Sequence, residues 1–171
     1  NDKIIKIDEK QYYLATIHRA ENTDDPNKLR TIINAFEQLD KPIIMPLHPR
    51  TRKLIEEQNI SIKNIIIVKP VGYLLMLYLT LNAYMVLTDS GGLQKEAYFL
   101  KTPCTTLREQ TEWVETLQND WNVLSPIDVN KIIEISKREL NCLKYSQPLL
   151  FGDGNAAGKI CNAILNGGIS S

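Results

Sequence analysis

Cysteine is scarce: Cys104, Cys142 and Cys161 are the only three, an odd number with no CxxC spacing. That excludes a disulfide framework and a zinc knuckle, and each thiol reads as a small buried apolar residue in a reducing, cytoplasmic setting. Neither sign of charge is in excess, since 20 Lys and Arg balance 20 Asp and Glu. The basic stripe of a general nucleic-acid binder is therefore missing. Apolar runs such as Ile65–Val68 fall far below the roughly 20 residues that cross a bilayer, so no membrane span is expected. With only two histidines and no HExxH spacing, no metal centre is expected either. No internal repeat or low-complexity tract is seen in the sequence, and no secretory leader is expected. The chain opens on Asn1 and reads as a piece of something larger.

What is present is ordinary globular material, 43% hydrophobic and 23% charged over 171 residues, which fits one domain with a real core. Residues 1–11 are polar and read as a linker. From there strands alternate with helices. Strands are expected at Tyr12–Ile17, Ile43–Leu47, Ile65–Val68, Tyr84–Thr88, Pro103–Leu107 and Trp121–Leu124, with Ile65–Val68 buried on both faces. Asp25 caps a helix with Pro26 at its first position and Leu29, Ile32, Ile33, Phe36 and Leu39 inward. Further helices are expected near Thr51, over Tyr73–Leu81, after Gly92, after Asp128 and after Asn155, the last with Ala156, Ile160, Ala163 and Ile164 on its inner stripe yet less well packed than the others, with low burial of Ile160 and Ile164. This succession predicts an α/β domain with a doubly wound parallel, Rossmann-like sheet.

Ligands of such sheets sit outside the carboxyl ends of the strands. Polar residues gather there in His18–Asn22, His48–Thr51, Pro70–Tyr73, Asp89–Gly92 and Arg108–Glu112. Ser90-Gly91-Gly92 joins a buried strand to a helix. Two glycines let the backbone approach a ligand, and free N–H groups at the positive end of the helix dipole suit a diphosphate. Glu96, one turn on, suits ribose hydroxyls better than phosphate. The plainer reading is a tight turn with Glu96 as a dipole partner. A serine-protease Asp-Ser-Gly-Gly fails on context, since those proteins are all-β. Gly152-x-Gly154-x-x-Ala157 follows no strong strand and reads as a polar turn capping the last helix. His18 and Arg19 leave the first strand together and suit a diphosphate by charge-assisted bonds, against a purely structural strand-end histidine. His48 stands open between site and loop, and Tyr73–Tyr78 reads as core rather than base pocket.

Taken together, Thr16–Asn22, His48–Thr51, Thr88–Ala97 and Leu107–Trp113 resemble the UDP-N-acetylglucosamine 2-epimerase family, non-hydrolysing type, from about Tyr12 to Leu165. The resemblance covers the carboxyl-terminal half of that enzyme. It implies a glycosyltransferase-B-like, two-domain architecture in which residues 12–171 are the UDP-binding domain and 1–11 a linker from a missing N-terminal domain. It implies interconversion of UDP-GlcNAc and UDP-ManNAc by UDP elimination and re-addition, with no cofactor and a homodimeric full-length enzyme. His18 is then catalytic at the diphosphate and glycosidic oxygen, Ser90, Gly91 and Gly92 hold phosphates, and Glu96 binds ribose. The proton-moving carboxylates belong to the other half, so this chain alone should bind UDP without turnover. The sequence departs from the family at Trp113, where many bacterial members have Arg, at Val71 and Met76 in the base pocket, and at Asn119-Asp120. A hydrolysing epimerase, a glycosyltransferase of the same fold and a non-catalytic sugar-nucleotide-binding domain are the competing expectations.

Overall fold

Six strands, β1 Tyr13–Thr16, β2 Ile43–Pro46, β3 Ile65–Val68, β4 Met85–Thr88, β5 Cys104–Thr106 and β6 Asn122–Leu124, lie parallel in the order β3-β2-β1-β4-β5-β6. The computed structural model describes residues 8–144 and 146–165. Positions 1–7 of the expected linker and 166–171 of the expected domain lie outside the described residues. The helices are α1 Ala20–Thr23, α2 Pro26–Phe36, α3 Pro49–Glu57, α4 Tyr73–Asn82, α5 Gly91–Phe99, α6 Val129–Ser136 and α7 Ala156–Leu165. The expected doubly wound parallel sheet is what forms.

The period-two geometry of a strand divides the core. Tyr13, Ala15, Ile43, Met45, Met85 and Leu87 point to one face, where they meet Leu29, Ile32, Ile33 and Phe36 of α2 and Ile132 of α6. Leu14, Ile44 and Val86 point to the other and meet Leu93 and Ala97 of α5, with Met76 and Leu79 of α4 alongside. Asp25 accepts from the N–H groups of Asn27 (2.9 Å) and Lys28 (3.3 Å), the cap expected from sequence.

Three expectations are corrected. β3 is parallel but not buried on both faces: it is an edge strand paired only with β2, and only Ile65 is fully covered. Tyr73–Tyr78 is mostly not core. A helix laid on one side of a sheet buries one stripe, so Tyr73, Leu74, Leu75 and Tyr78 face outward, Leu74 at 80% exposure. Cys104 and Cys142 are buried but Cys161 is exposed on α7. On α7 the expected loose packing is what forms: none of the ten residues is buried, and Ile160 and Ile164 are 60% and 72% exposed.

Arg138 ties the far edge of the sheet to α6. Its Nη1 donates to Thr105 Oγ1 (2.9 Å) and Ile135 O (2.8 Å), and its Nη2 to Cys104 O (3.0 Å) and Asp120 O (3.2 Å). Arg138→Met removes all four of these bonds, and we expect about 2–3 kcal/mol lower stability in urea unfolding. A change below about 0.5 kcal/mol would show that the four bonds are solvated substitutes of no net value.

Candidate functional site

The strand order reverses between β1 and β4, where a parallel sheet opens a crevice at its carboxyl edge. Register sets what faces what there. Thr16 pairs with Thr88, their hydroxyls 2.6 Å apart, so the two chains leave the sheet side by side as Ile17-His18-Arg19 and Asp89-Ser90-Gly91.

Asp89 organises this crevice. It is completely buried, and its carboxylate accepts from His18 N–H (3.1 Å), Arg19 N–H (3.0 Å) and the Asn22 side-chain amide (3.1 Å). The His18 imidazole stands over it with Nδ1 3.3 Å from Oδ1, while more than half of the histidine side chain remains in solvent. A carboxylate against Nδ1 selects the orientation of the ring and favours a proton on that nitrogen, which leaves Nε2 directed outward.

Ser90 caps α5: its Oγ accepts from Leu93 N–H (3.4 Å) and its own N–H donates to Thr88 Oγ1 (2.9 Å). Gly91 and Gly92 occupy the first two helical positions, whose N–H groups have no partner within a helix. Neither has positive φ, so close approach rather than backbone strain accounts for glycine here. A Cβ on Gly91 would overlap Glu112 Oε1 and lie 3.5 Å from Trp113 Nε1, whereas a Cβ on Gly92 would meet only Ser90 Oγ at 3.9 Å. Glu96, one turn further, is partly buried, and lost hydration raises its carboxyl above the ordinary glutamate range.

The Glu112 carboxylate leans over the glycine turn. Arg108 Nη1 donates to its Oε2 (2.7 Å) and Arg19 Nη2 reaches its Oε1 (3.4 Å). Its backbone amide first, then Arg108 and Arg19, hold its carboxyl below the usual value. The loop is pinned from beneath by Thr111 Oγ1, which donates to Gln94 Oε1 (2.6 Å); the same oxygen accepts from Asn122 Nδ2 (3.2 Å), and Gln94 and Asn122 are both buried. The mouth of the turn thus gathers one helix N-terminus and two guanidiniums around one internal carboxylate. That is the electrostatics of an anion site.

Of the residues singled out by sequence, His18, Ser90, Gly91 and Gly92 converge on this crevice and Glu96 stands one turn along the same helix. Arg19 stands beside the turn, its Nε donating to Asp89 O (2.8 Å) and its Nη2 3.4 Å from Glu112 Oε1. His48 is the N-cap of α3, its Nδ1 accepting from Arg50 N–H (3.3 Å), a local role on the neighbouring strand end. Gly152 and Gly154, at φ +90° and +82°, form the polar turn before α7. Sequence reasoning gave no role to Asp89, Glu112 or Gln94. For Asp89 a signal was available, since an acid between a buried strand and a glycine turn needs partners to be tolerated there. Among the described residues no group of three His, Cys, Asp or Glu side chains could hold a metal, and no helix is long and apolar enough to cross a membrane.

A parallel Rossmann-type sheet with a glycine turn opening a helix at its switch point, and a carboxylate-backed histidine across from it, is the class of fold and site that the structure defines. The chain belongs to the UDP-N-acetylglucosamine 2-epimerase family, whose sequence model matches residues 1–165. It is 49% identical over 95% of its length to a UDP-N-acetylglucosamine 2-epimerase homolog of Methanococcus maripaludis, covering 46% of that protein. It is 43% identical over 90% of its length to the UDP-2,3-diacetamido-2,3-dideoxy-D-glucuronate 2-epimerase of Pseudomonas aeruginosa, covering 44% of it. The solved UDP-GlcNAc 2-epimerase of Methanocaldococcus jannaschii, 40% identical, superposes with a TM-score of 0.84 over 94% of this chain and 47% of that one. Its complex with UDP-GlcNAc and UDP superposes at 0.75 over 91% and 45%. The chain spans about half the length of the relatives it matches.

Proposed function

We propose that this chain is the nucleotide-binding half of a UDP-GlcNAc 2-epimerase, interconverting UDP-GlcNAc and UDP-ManNAc by elimination of UDP and its re-addition to the other face of C2. The observation that carries the reading is the pairing of the unpartnered Gly91–Gly92 N–H groups with His18 held on Asp89. In the reaction, a base takes the C2 proton, the C1–O bond breaks, and its electron pair leaves on the diphosphate. The glycine turn, Ser90 and the α5 dipole stabilise that diphosphate, and His18, as the imidazolium with one N–H on Asp89, gives a hydrogen bond or proton from Nε2 to the oxygen that departs from C1. Glu96 takes the ribose hydroxyls. The base comes from the N-terminal domain that residues 1–11 would join, so the complete enzyme closes its active site between two halves. Homodimeric assembly and a cytoplasmic setting belong to the same reading, and sedimentation of the full-length enzyme checks the first.

The test is a calorimetric titration of the chain with UDP. Binding is expected, with Glu96→Ala weakening both UDP and uridine about tenfold and Ser90→Ala weakening UDP more than uridine. No turnover of UDP-GlcNAc by this chain alone is expected; measurable turnover would contradict the division of labour. A second reading changes only the sugar, and the 43% identity to the diacetamidoglucuronate epimerase favours it. Full-length enzyme supplied with both UDP-sugars decides between them.

A further inference from the structure

The ten residues of α4 include no charge. Met76 and Leu79 meet the sheet, whereas Tyr73, Leu74, Leu75, Tyr78 and Leu81 face outward. A surface helix normally turns polar residues to water, and a contiguous apolar stripe in their place marks an interaction surface. The course of the helix narrows what can cover it. α4 leads from the end of β3 to the start of β4, so Tyr73 stands at the carboxyl edge of the sheet and Leu81 at the opposite edge. At about 1.5 Å per residue, Tyr78 and Leu81 lie about 8 and about 12 Å down the helix from Tyr73. They are nonetheless 59% and 46% exposed. A domain seated over the carboxyl edge and its glycine turn leaves that lower part of the stripe open.

The charges at the two ends of α4 choose between occupants. Lys69, exposed, precedes its N-terminus. Asp8 and Glu9, also exposed, are held at its C-terminus, where Lys10 N–H donates to Asn82 O (2.7 Å) and Lys10 Nζ to Ala83 O (3.1 Å). An anionic lipid surface is repelled by that acidic end. A second copy turned about a two-fold axis is attracted. With α4 antiparallel on α4, Lys69 of each copy comes to Asp8 and Glu9 of the other, the helix dipoles oppose, and the uncharged stripe sets no like charges together. Leu74, Tyr78 and Leu81, at i, i+4 and i+7, form the ridge that such packing uses.

We propose that the outer face of α4 is a docking surface for a second copy of this chain, the two helices packing antiparallel about a two-fold axis near Tyr78. The contact joins this domain directly to its own copy, whatever the glycine turn binds.

Sedimentation equilibrium of the chain, without nucleotide, tests this. Wild type is expected to reach twice the 19.5 kDa of one copy at micromolar concentration. Tyr78→Glu sets two carboxylates at the axis and should raise the dissociation constant about tenfold or more. Its circular dichroism should match wild type, because the replaced side chain is at the surface. Lys69→Glu should also weaken the dimer, and adding Asp8→Lys and Glu9→Lys should restore it, a rescue that an unspecific apolar contact would not show. In full-length enzyme, Tyr78→Glu should lower the assembled mass. A monomeric wild-type chain would overturn the proposal. So would a dimer unmoved by Tyr78→Glu, a charge exchange without rescue, or an unchanged full-length mass. The Lys69 exchange decides the matter even if Tyr78→Glu does not fold.

Discussion

Asp89→Ala is expected to lower stability by about 4 kcal/mol and to abolish the orienting support of His18. The carboxylate is wholly buried and accepts from two backbone N–H groups and the Asn22 amide. Alanine leaves those donors facing an empty, dry pocket, at about 1–3 kcal/mol each where water cannot substitute. For a domain of this size such a loss corresponds to a melting temperature lower by roughly 8–16 °C. Asp89→Asn, with nearly the same shape, should recover part of the stability, since its one oxygen can still accept. It should not recover activity in the full-length enzyme, because the Nδ1 side of His18 then faces no charge. Thermal unfolding and turnover therefore separate the two roles. A stable, active Asp89→Ala variant would show that the carboxylate is dispensable to both.

Gly91→Ala has the opposite profile: little change in stability and a large loss of ligand. The new Cβ would overlap Glu112 Oε1, the far end of a flexible side chain, which can rotate away. Alanine also suits a helix better than glycine. We therefore expect unfolding free energy within about 1 kcal/mol of wild type. The same methyl group stands where a phosphate oxygen would rest against the Gly91 and Gly92 amides. Loss of two charge-assisted bonds predicts UDP affinity lower by about a hundredfold. Gly92→Ala is the comparison, because space is open around that Cβ and only Ser90 Oγ comes near, at 3.9 Å. Equal tolerance of both variants in UDP binding would mean that ligand does not approach Gly91.

The sheet was legible because each strand is short, apolar and followed by a turn signal, and because Asp25-Pro26 and Asp128 announce helix starts with side chains that do cap. Which strand lies at an edge was not legible. Ile65–Val68 carries the composition of a central strand, and its position follows from the order in which strands pair, a non-local property. The same limit explains α4. Tyr73–Leu81 is apolar on nearly every side, so periodicity could not say which stripe meets the sheet, and Tyr73, Leu74, Leu75, Tyr78 and Leu81 are left exposed. At the site, Ser90, Gly91, Gly92, Glu96 and His18 could be named because each is attached to a strand end or the first turns of a helix. Glu112 and Trp113 could not be placed on the turn. They reach it from the loop after β5, and what brings them there is the Thr111–Gln94 bond between segments that are remote in sequence.

Where a diphosphate rests decides the function of this domain, and a crystal structure of the chain soaked with UDP measures that directly. Diphosphate oxygens are expected within about 3.2 Å of the Gly91 and Gly92 amides, with Glu112 turned away and the ribose toward Glu96. Diphosphate lodged instead in the neighbouring polar cleft of about 360 Å³, among Glu21, Lys28, Arg108 and Gln110, would contradict it.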